Sequence, residues 1–171
     1  MIAIFIGGGG YPDGGDEVNI KEDLVTARII FASPINIWQI PITTYKTMEI
    51  SLSELVQKVK PCGKIGAYLC QQMLELNEFY GRASARIPFP HGESWCLGDN
   101  PTISVLLQSE SRVCWHIENA PFINDDLTYS PNSDAKKICV YDYIDSRMTL
   151  EDLFAKLKIC YGSVVLQKKI Y

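Results

Sequence analysis

Five apolar residues, Ile2-Ala3-Ile4-Phe5-Ile6, stand near the start of the chain and run into four glycines, Gly7–Gly10. A short unbroken apolar run that ends in a turn signal predicts a buried strand followed by a glycine loop. The polar turn Tyr11-Pro12-Asp13-Gly14-Gly15-Asp16 comes next. Beyond it, Leu24, Ala27, Ile30 and Phe31 recur at helical spacing with Asp23 in front as a cap, and Ser33-Pro34 closes that helix. Ile35-Asn36-Ile37-Trp38-Gln39-Ile40 reads as a second strand, ended by Pro41. A strand, a helix and a strand within so short a stretch form a βαβ unit, which predicts parallel pairing.

The pattern continues in the same style. Ser51-Leu52-Ser53-Glu54 has the form of a capping box, with Leu52, Leu55, Val56 and Val59 on the face of the helix it opens and Pro61 as its stop. A longer helix is predicted from about Gly63, with Ile65, Leu69, Met73, Leu76 and Tyr80 as its apolar stripe. The stretch from Gly81 to Trp95 is a loop rich in Gly and Pro. Pro101, at a first helical position, opens a helix carrying Ile103, Leu106 and Leu107. Val113–Glu118 and Lys137–Ile144 read as strands, and Thr149 caps a last helix through Leu153, Phe154 and Leu157. The whole predicts one α/β domain over residues 1–171, a Rossmann-like, mixed but mostly parallel sheet flanked by helices.

Composition narrows the function classes. At 171 residues, with 47% apolar and 21% charged residues, the chain can build a core. A formal net charge of −4 argues against a nucleic-acid partner held by bulk positive charge. No apolar run approaches the roughly 18 residues of a membrane span, so no membrane partner is expected. The start carries no basic region of a secretion signal, so a cytoplasmic location is expected. The six cysteines show no CxxC and no zinc spacing, and the expectation is reduced, buried thiols.

Three places could carry chemistry. The glycine run lacks both the GxGxxG form and a following Lys-Ser/Thr, so it points to a tight strand-end turn more than to a phosphate loop. Beyond it stand Glu17, Asn19 and Asp23. If Glu17 and Asn19 lie in an extended stretch they point to one side, where an acid and an amide can bind sugar hydroxyls; the alternative is that they satisfy backbone groups. Asp99, before Asn100-Pro101, is either a helix cap or a carboxylate directed into a cleft, where its oxygens suit calcium. His91, in the proline loop, is a weak candidate acid; Ser94 is near it in sequence, but no nucleophile elbow surrounds that serine.

Taken in order, these fragments resemble the inosine/uridine-preferring nucleoside hydrolase family. That family has a strand ending in Met-Gly-Gly, a loop to Ala-Glu-Phe-Asn, and then Asp-Pro-Glu-Ala-Ala. The matching residues are Phe5-Ile6-Gly7-Gly8, Asp16-Glu17-Val18-Asn19 and Asp23-Leu24-Val25-Thr26-Ala27. The family's Val-Pro-Leu-Asp-Val-Thr is matched by Gln39-Ile40-Pro41-Ile42-Thr43-Thr44, and its His-Asp-Pro by Gly98-Asp99-Asn100-Pro101. The resemblance runs from about residue 2 to about residue 160.

The resemblance implies hydrolysis of the N-glycosidic bond of a purine or pyrimidine ribonucleoside to ribose and free base, as in nucleoside salvage, assisted by calcium. It implies that Glu17 and Asn19 contact ribose hydroxyls and that Asp99 binds both the ribose and the calcium. The family's Asp-rich first-strand motif, Asp-x-Asp-Pro-x-x-Asp-Asp, has no match, so the catalytic base is absent from these residues. The family's Asp in Pro-Leu-Asp is Thr43, and its His before the metal-binding Asp is Gly98. The expectation is therefore a chain resembling the C-terminal half of such an enzyme, with little activity alone. The alternative is a non-catalytic nucleoside- or sugar-binding or interaction module of the same fold. An incomplete sheet also predicts an unpaired edge, apolar surface and self-association into a homo-oligomer.

Overall fold

The structure is a computed structural model and describes residues 1–83 and 93–162. In chain order the elements are β1 (Ile2–Ile6), α1 (Val18–Glu22), α2 (Leu24–Ala32), β2 (Asn36–Ile40), α3 (Ile42–Tyr45), β3 (Glu49–Ser51), α4 (Leu52–Glu54), α5 (Gly63–Ala83), β4 (Ser94–Cys96), α6 (Pro101–Ser104), β5 (Val113–Asn119), β6 (Phe122–Ile123), β7 (Tyr129–Ser130), β8 (Lys137–Ile144) and α7 (Ser146–Tyr161). They fall into two compact units, one of Met1–Met48 with Gly98–Ser146, the other of Glu49–Leu97 with Arg147–Tyr171.

The first unit is built on a four-stranded sheet of order β1-β2-β8-β5. β1, β2 and β8 are parallel and β5 is antiparallel to β8, which bears out the mixed, mostly parallel sheet read from the sequence. Alternation along the strands sends side chains to two faces. On one face Phe5, Ile37, Ile138 and Val140 pack with Ile20, Ala27 and Phe31 from α1 and α2 and with Ile123 and Tyr129 from the β6–β7 hairpin. Phe5 and Phe31 meet edge to face, ring centres 5.2 Å apart. On the other face Ile4, Ile6, Trp38, Ile40, Cys139 and Tyr141 pack with Met48 and Val105. Burying one side chain the size of Ile37 or Phe31 contributes on the order of 1.5–3 kcal/mol.

Asp23 caps α2 as expected, its carboxylate accepting from the Thr26 N–H at 2.9 Å. The far end of α2 is closed by a lysine that the sequence reading missed. The Lys136 ammonium donates to the carbonyls of Ile30, Ser33 and Ile35, satisfying groups that the helix end leaves orphaned. Partial burial pulls its pKa below the ordinary lysine value.

Two expectations for this unit fail. β1 is a strand, but none of its residues is fully buried, because it lies at the edge of the sheet. α6 does begin at Pro101, yet it is only four residues long, and Ile103, Leu106 and Leu107 face solvent at 63%, 61% and 52% exposure. The buried positions there are Pro101, Ser104 and Val105.

The second unit has the predicted capping box, with Ser51 Oγ accepting from the Glu54 N–H and the Glu54 carboxylate accepting from the Ser51 N–H. After α4 the chain widens into a π-helical turn, Leu55–Val59. β3 pairs antiparallel with β4, a ladder not foreseen from the sequence. The stripe predicted on α5 is rotated from the real one. Of its predicted members Met73 packs on the core as expected, but Ile65, Leu69 and Leu76 are each 38% exposed, while Cys70 and Leu74, outside the predicted stripe, turn inward beside Leu150, Phe154 and Leu157 of α7. The cause is Gly66, on the same face as Cys70, where an added Cβ would collide with the Val59 carbonyl. Two small residues let α5 approach the preceding turn closely, so apolar periodicity was a poor guide to which face turns inward. Cys62 and Cys70 are buried, Cys139 is half-buried, and Cys96, Cys114 and Cys160 are exposed, so the expectation of buried thiols holds for two of the six.

Candidate functional site

In open α/β sheets, ligand sites form beyond the carboxyl ends of the parallel strands. In the first unit that place holds Gly7–Gly10, directly after β1. The loop is tied to the neighbouring strand. Gly7 N–H donates to the Ile40 carbonyl at 3.1 Å, and Ile42 N–H donates to the Gly8 carbonyl at 2.9 Å. Gly7 and Gly8 have φ of 139° and 89°, a region that favours glycine. At Gly8 an added Cβ would fall on the Tyr129 hydroxyl and the Gln39 amide. The run is therefore a close-packed strand-end turn whose missing side chains make room for the protein's own groups.

Glu17 lies at the centre of this packing and is 2% exposed. One carboxylate oxygen, Oε2, accepts from Gly8 N–H at 2.8 Å and Ile20 N–H at 3.0 Å. The other, Oε1, accepts from Asn19 N–H at 3.1 Å and the Tyr45 hydroxyl at 2.6 Å. Glu17 is the N-cap of α1, where its charge also meets the positive end of the helix. This corrects the extended-stretch reading of the segment. Only Glu17 has extended backbone (φ −149°, ψ 135°), and its carboxylate turns the chain at once into a helix that contains Asn19. Glu17 and Asn19 are close, but not as two side chains in a row on one side of a strand. An ionised carboxylate has about four lone-pair directions, and four protein donors occupy those of Glu17.

Asn19 is exposed, and its amide makes one long contact of 3.5 Å to the Ile6 carbonyl. Asp99 is also exposed and stands in the turn two residues before α6, a helix that lies against β1. The cap position of α6 is Asn100, so Asp99 is not the helix cap. The Asp99 backbone carbonyl accepts from Thr102 N–H and the Thr102 hydroxyl, and its carboxylate has no hydrogen-bond or ion-pair partner among the described residues. An exposed amide and an exposed carboxylate can both hydrogen-bond sugar hydroxyls. His91 lies outside the described residues.

A buried polar group missed by the sequence reading supports the loop from beneath. Gln39 is 0% exposed, donates to the Gly7 carbonyl at 2.9 Å and the Tyr129 hydroxyl at 3.2 Å, and accepts from the Tyr11 hydroxyl at 2.8 Å. Burial pushes the Tyr129 phenol up to about 12, and it also raises that of Tyr11, so both remain protonated at neutral pH. A signal for Gln39 was present, since the run Ile35–Ile40 holds two amides, Asn36 and Gln39, and either must find partners if buried. Nothing in the sequence marked Tyr45.

Calcium takes six to eight oxygen ligands. Among the described residues no three His, Cys, Asp or Glu side chains come together, so this set offers the Asp99 carboxylate alone and does not fit a calcium site.

No family model matches the sequence, and no curated protein matches it. Solved structures do. A plant nucleoside hydrolase superposes with a TM-score of 0.66 at 17% identity, over 91% of this chain and 51% of that one. A purine-preferring ribonucleoside hydrolase from Gardnerella vaginalis gives a TM-score of 0.62 at 16% identity, over 92% of this chain and 49% of that one. The chain has the nucleoside hydrolase type of fold and spans about half the length of these structures. Among the described residues, no helix is long and apolar enough to cross a membrane.

Proposed function

We propose that this chain carries a ribose-facing part of a ribonucleoside hydrolase type of site, and that by itself it binds nucleosides without hydrolysing them at enzyme rates. The observation that carries the reading is the likeness of fold to two nucleoside hydrolases over nine-tenths of the chain. Two features favour binding over catalysis. Asn19 and Asp99 are exposed and able to meet hydroxyls, whereas Glu17 is already saturated by protein donors and acts by holding the loop in shape. Cleavage of an N-glycosidic bond also needs an activated water and carboxylates to stabilise an oxocarbenium-like ribosyl group. Asp99 is one carboxylate, and the described residues do not complete a calcium site around it. Inosine/uridine preference and calcium assistance remain part of the proposal for a complete site of this kind.

Calorimetric titration with inosine, uridine and ribose tests the first half, and the expected outcome is weak but saturable heat with the nucleosides. No heat from any of the three would sink it. A reducing-sugar assay on the same ligands tests the second half. Calcium-dependent release of ribose at enzyme rates would show that the chain is a catalyst.

A further inference from the structure

A pocket of about 250 Å³ opens between the Tyr11-Pro12 turn, the end of β5 and the β6–β7 hairpin, all within the first unit. Neither Asn19 nor Asp99 lines it. Its volume is below the roughly 300–1,000 Å³ of sites for drug-sized molecules, so it suits a small solute.

Tyr11 and Tyr129 form an aromatic corner of this pocket, their ring centres 5.2 Å apart and their planes inclined at 54°. Pro12, Pro121 and Pro131 add apolar wall. Glu118, which is exposed, supplies the carboxylate. Its Oε1 accepts from the Asn119 N–H at 2.9 Å, and its Oε2 has no hydrogen-bond or ion-pair partner among the described residues. Burial, then the charges of Tyr129 and Glu118, push the Tyr11 phenol up, so the Glu118 charge is felt at the aromatic corner.

The surroundings select the sign of charge that fits. Proline has no N–H. The Asn119 N–H is spent on Glu118, the Tyr129 N–H on the Asp13 carbonyl, and the Tyr11 hydroxyl on Gln39. No Lys, Arg or His lines the pocket. His116 meets Tyr11 at 5.9 Å between ring centres, but its Nδ1 is held by Asp142 at 2.7 Å. An anion here would meet a carboxylate and few donors. A cation would meet a carboxylate with an open oxygen, two tyrosine π-systems that attract positive charge, and the Asn119 and Asn132 amides, which present an oxygen as readily as an NH2 group. We propose that this pocket binds a small organic ammonium ion, its charge held between Glu118 and the Tyr11–Tyr129 corner and its carbon groups on the prolines. The site is separate from that of the proposed function, and neither depends on the other.

Titration of the isotope-labelled 171-residue chain with choline, followed by amide NMR shifts at constant ionic strength, tests this. The amides of Glu118, Asn119 and Ser133 should shift and saturate with a millimolar dissociation constant. Dimethylbutanol, the uncharged isostere of choline with carbon in place of nitrogen, should bind about tenfold more weakly or worse, because only the cation gains from the rings and the carboxylate. Glu118→Gln, at an exposed position that a folded chain tolerates, should weaken choline binding by about fivefold with unchanged circular dichroism. Glu22→Gln, which removes an exposed carboxylate on α1 outside the pocket, should not. The absence of saturable shifts up to about 50 mM choline overturns the proposal. So does equal binding of choline and dimethylbutanol, or an equal effect of the two carboxylate substitutions.

Discussion

Two carboxylates of this protein, Glu17 and Asp99, were singled out by one sequence argument and stand in opposite physical situations. Glu17 is buried at the end of β1 and receives four donors, from Gly8, Asn19, Ile20 and Tyr45. Asp99 is exposed in a turn before a four-residue helix, and its carboxylate receives none from the described residues. The first is satisfied by the fold, so altering it should show in stability. The second has unspent hydrogen-bonding capacity, so altering it should show in binding. The number of protein donors that face an acid, rather than its place in a motif, separates a structural role from a ligand-facing one.

The largest effect is expected where the Glu17 environment has no slack. Gly8→Ala puts a methyl group onto the Tyr129 hydroxyl and Gln39 amide at a backbone φ of 89°. The loss should be about 3 kcal/mol or more, combining backbone strain with displaced buried polar groups, and urea denaturation measures it. Gly15→Ala is the control. Gly15 also has positive φ (127°), but an added Cβ would meet nothing within 4 Å, so its cost should be near the backbone strain alone, about 1–2 kcal/mol. Equal losses at both sites would mean that the packing around Glu17 is looser than described.

Glu17→Gln comes next. It preserves shape but turns an NH2 group toward protein donors, leaving at least one buried donor opposed to another. The expected loss is roughly 2–4 kcal/mol in the same urea experiment. A smaller loss would mean that the loop can reorganise around an amide.

The difference between the two carboxylates also marks how far the sequence could be read. Apolar runs and turn residues were enough for β1, β2, β5 and β8, for the Asp23 and Ser51 caps and for the start of α6, because each rests on local chemistry. That β1 pairs on one side only among the described residues was expected from the family resemblance and not from the composition of the strand. A strand such as β1 reads as buried from its composition, and only its neighbours decide whether it lies inside the sheet. The face of α5 was misjudged because Gly66 and Cys70, rather than the larger apolar residues, occupy the close contact. The site was read in part. The sequence placed Glu17 and Asn19 beside the glycine loop, yet the five-residue helix that Glu17 caps through the N–H groups of Asn19 and Ile20 was not foreseen, and neither was its donor Tyr45, distant along the chain. Gln39 was legible, with Asn36, as one of two amides that need partners if buried, but its partners, Gly7, Tyr11 and Tyr129, lie far apart along the chain and meet only in the fold.

The smallest effect on stability should come from Asp99→Asn, and there the comparison is most exposed to failure. The side chain is solvated and its carboxylate makes no hydrogen bond among the described residues, so removing the charge should change stability by no more than about 0.5 kcal/mol. Binding is where the change should appear. A carboxylate accepts two sugar hydroxyls better than an amide can, because one of the amide's two ends is a donor. Calorimetric affinity for nucleosides should fall by about fivefold, roughly 1 kcal/mol, in Asp99→Asn, while the destabilised Glu17→Gln protein, assayed well below its unfolding midpoint, should keep most of its affinity. If Glu17→Gln instead lost more affinity than Asp99→Asn at equal folded fraction, the saturated carboxylate would be the one that faces the ligand. The four donors that occupy it here would then have to give way when a sugar binds.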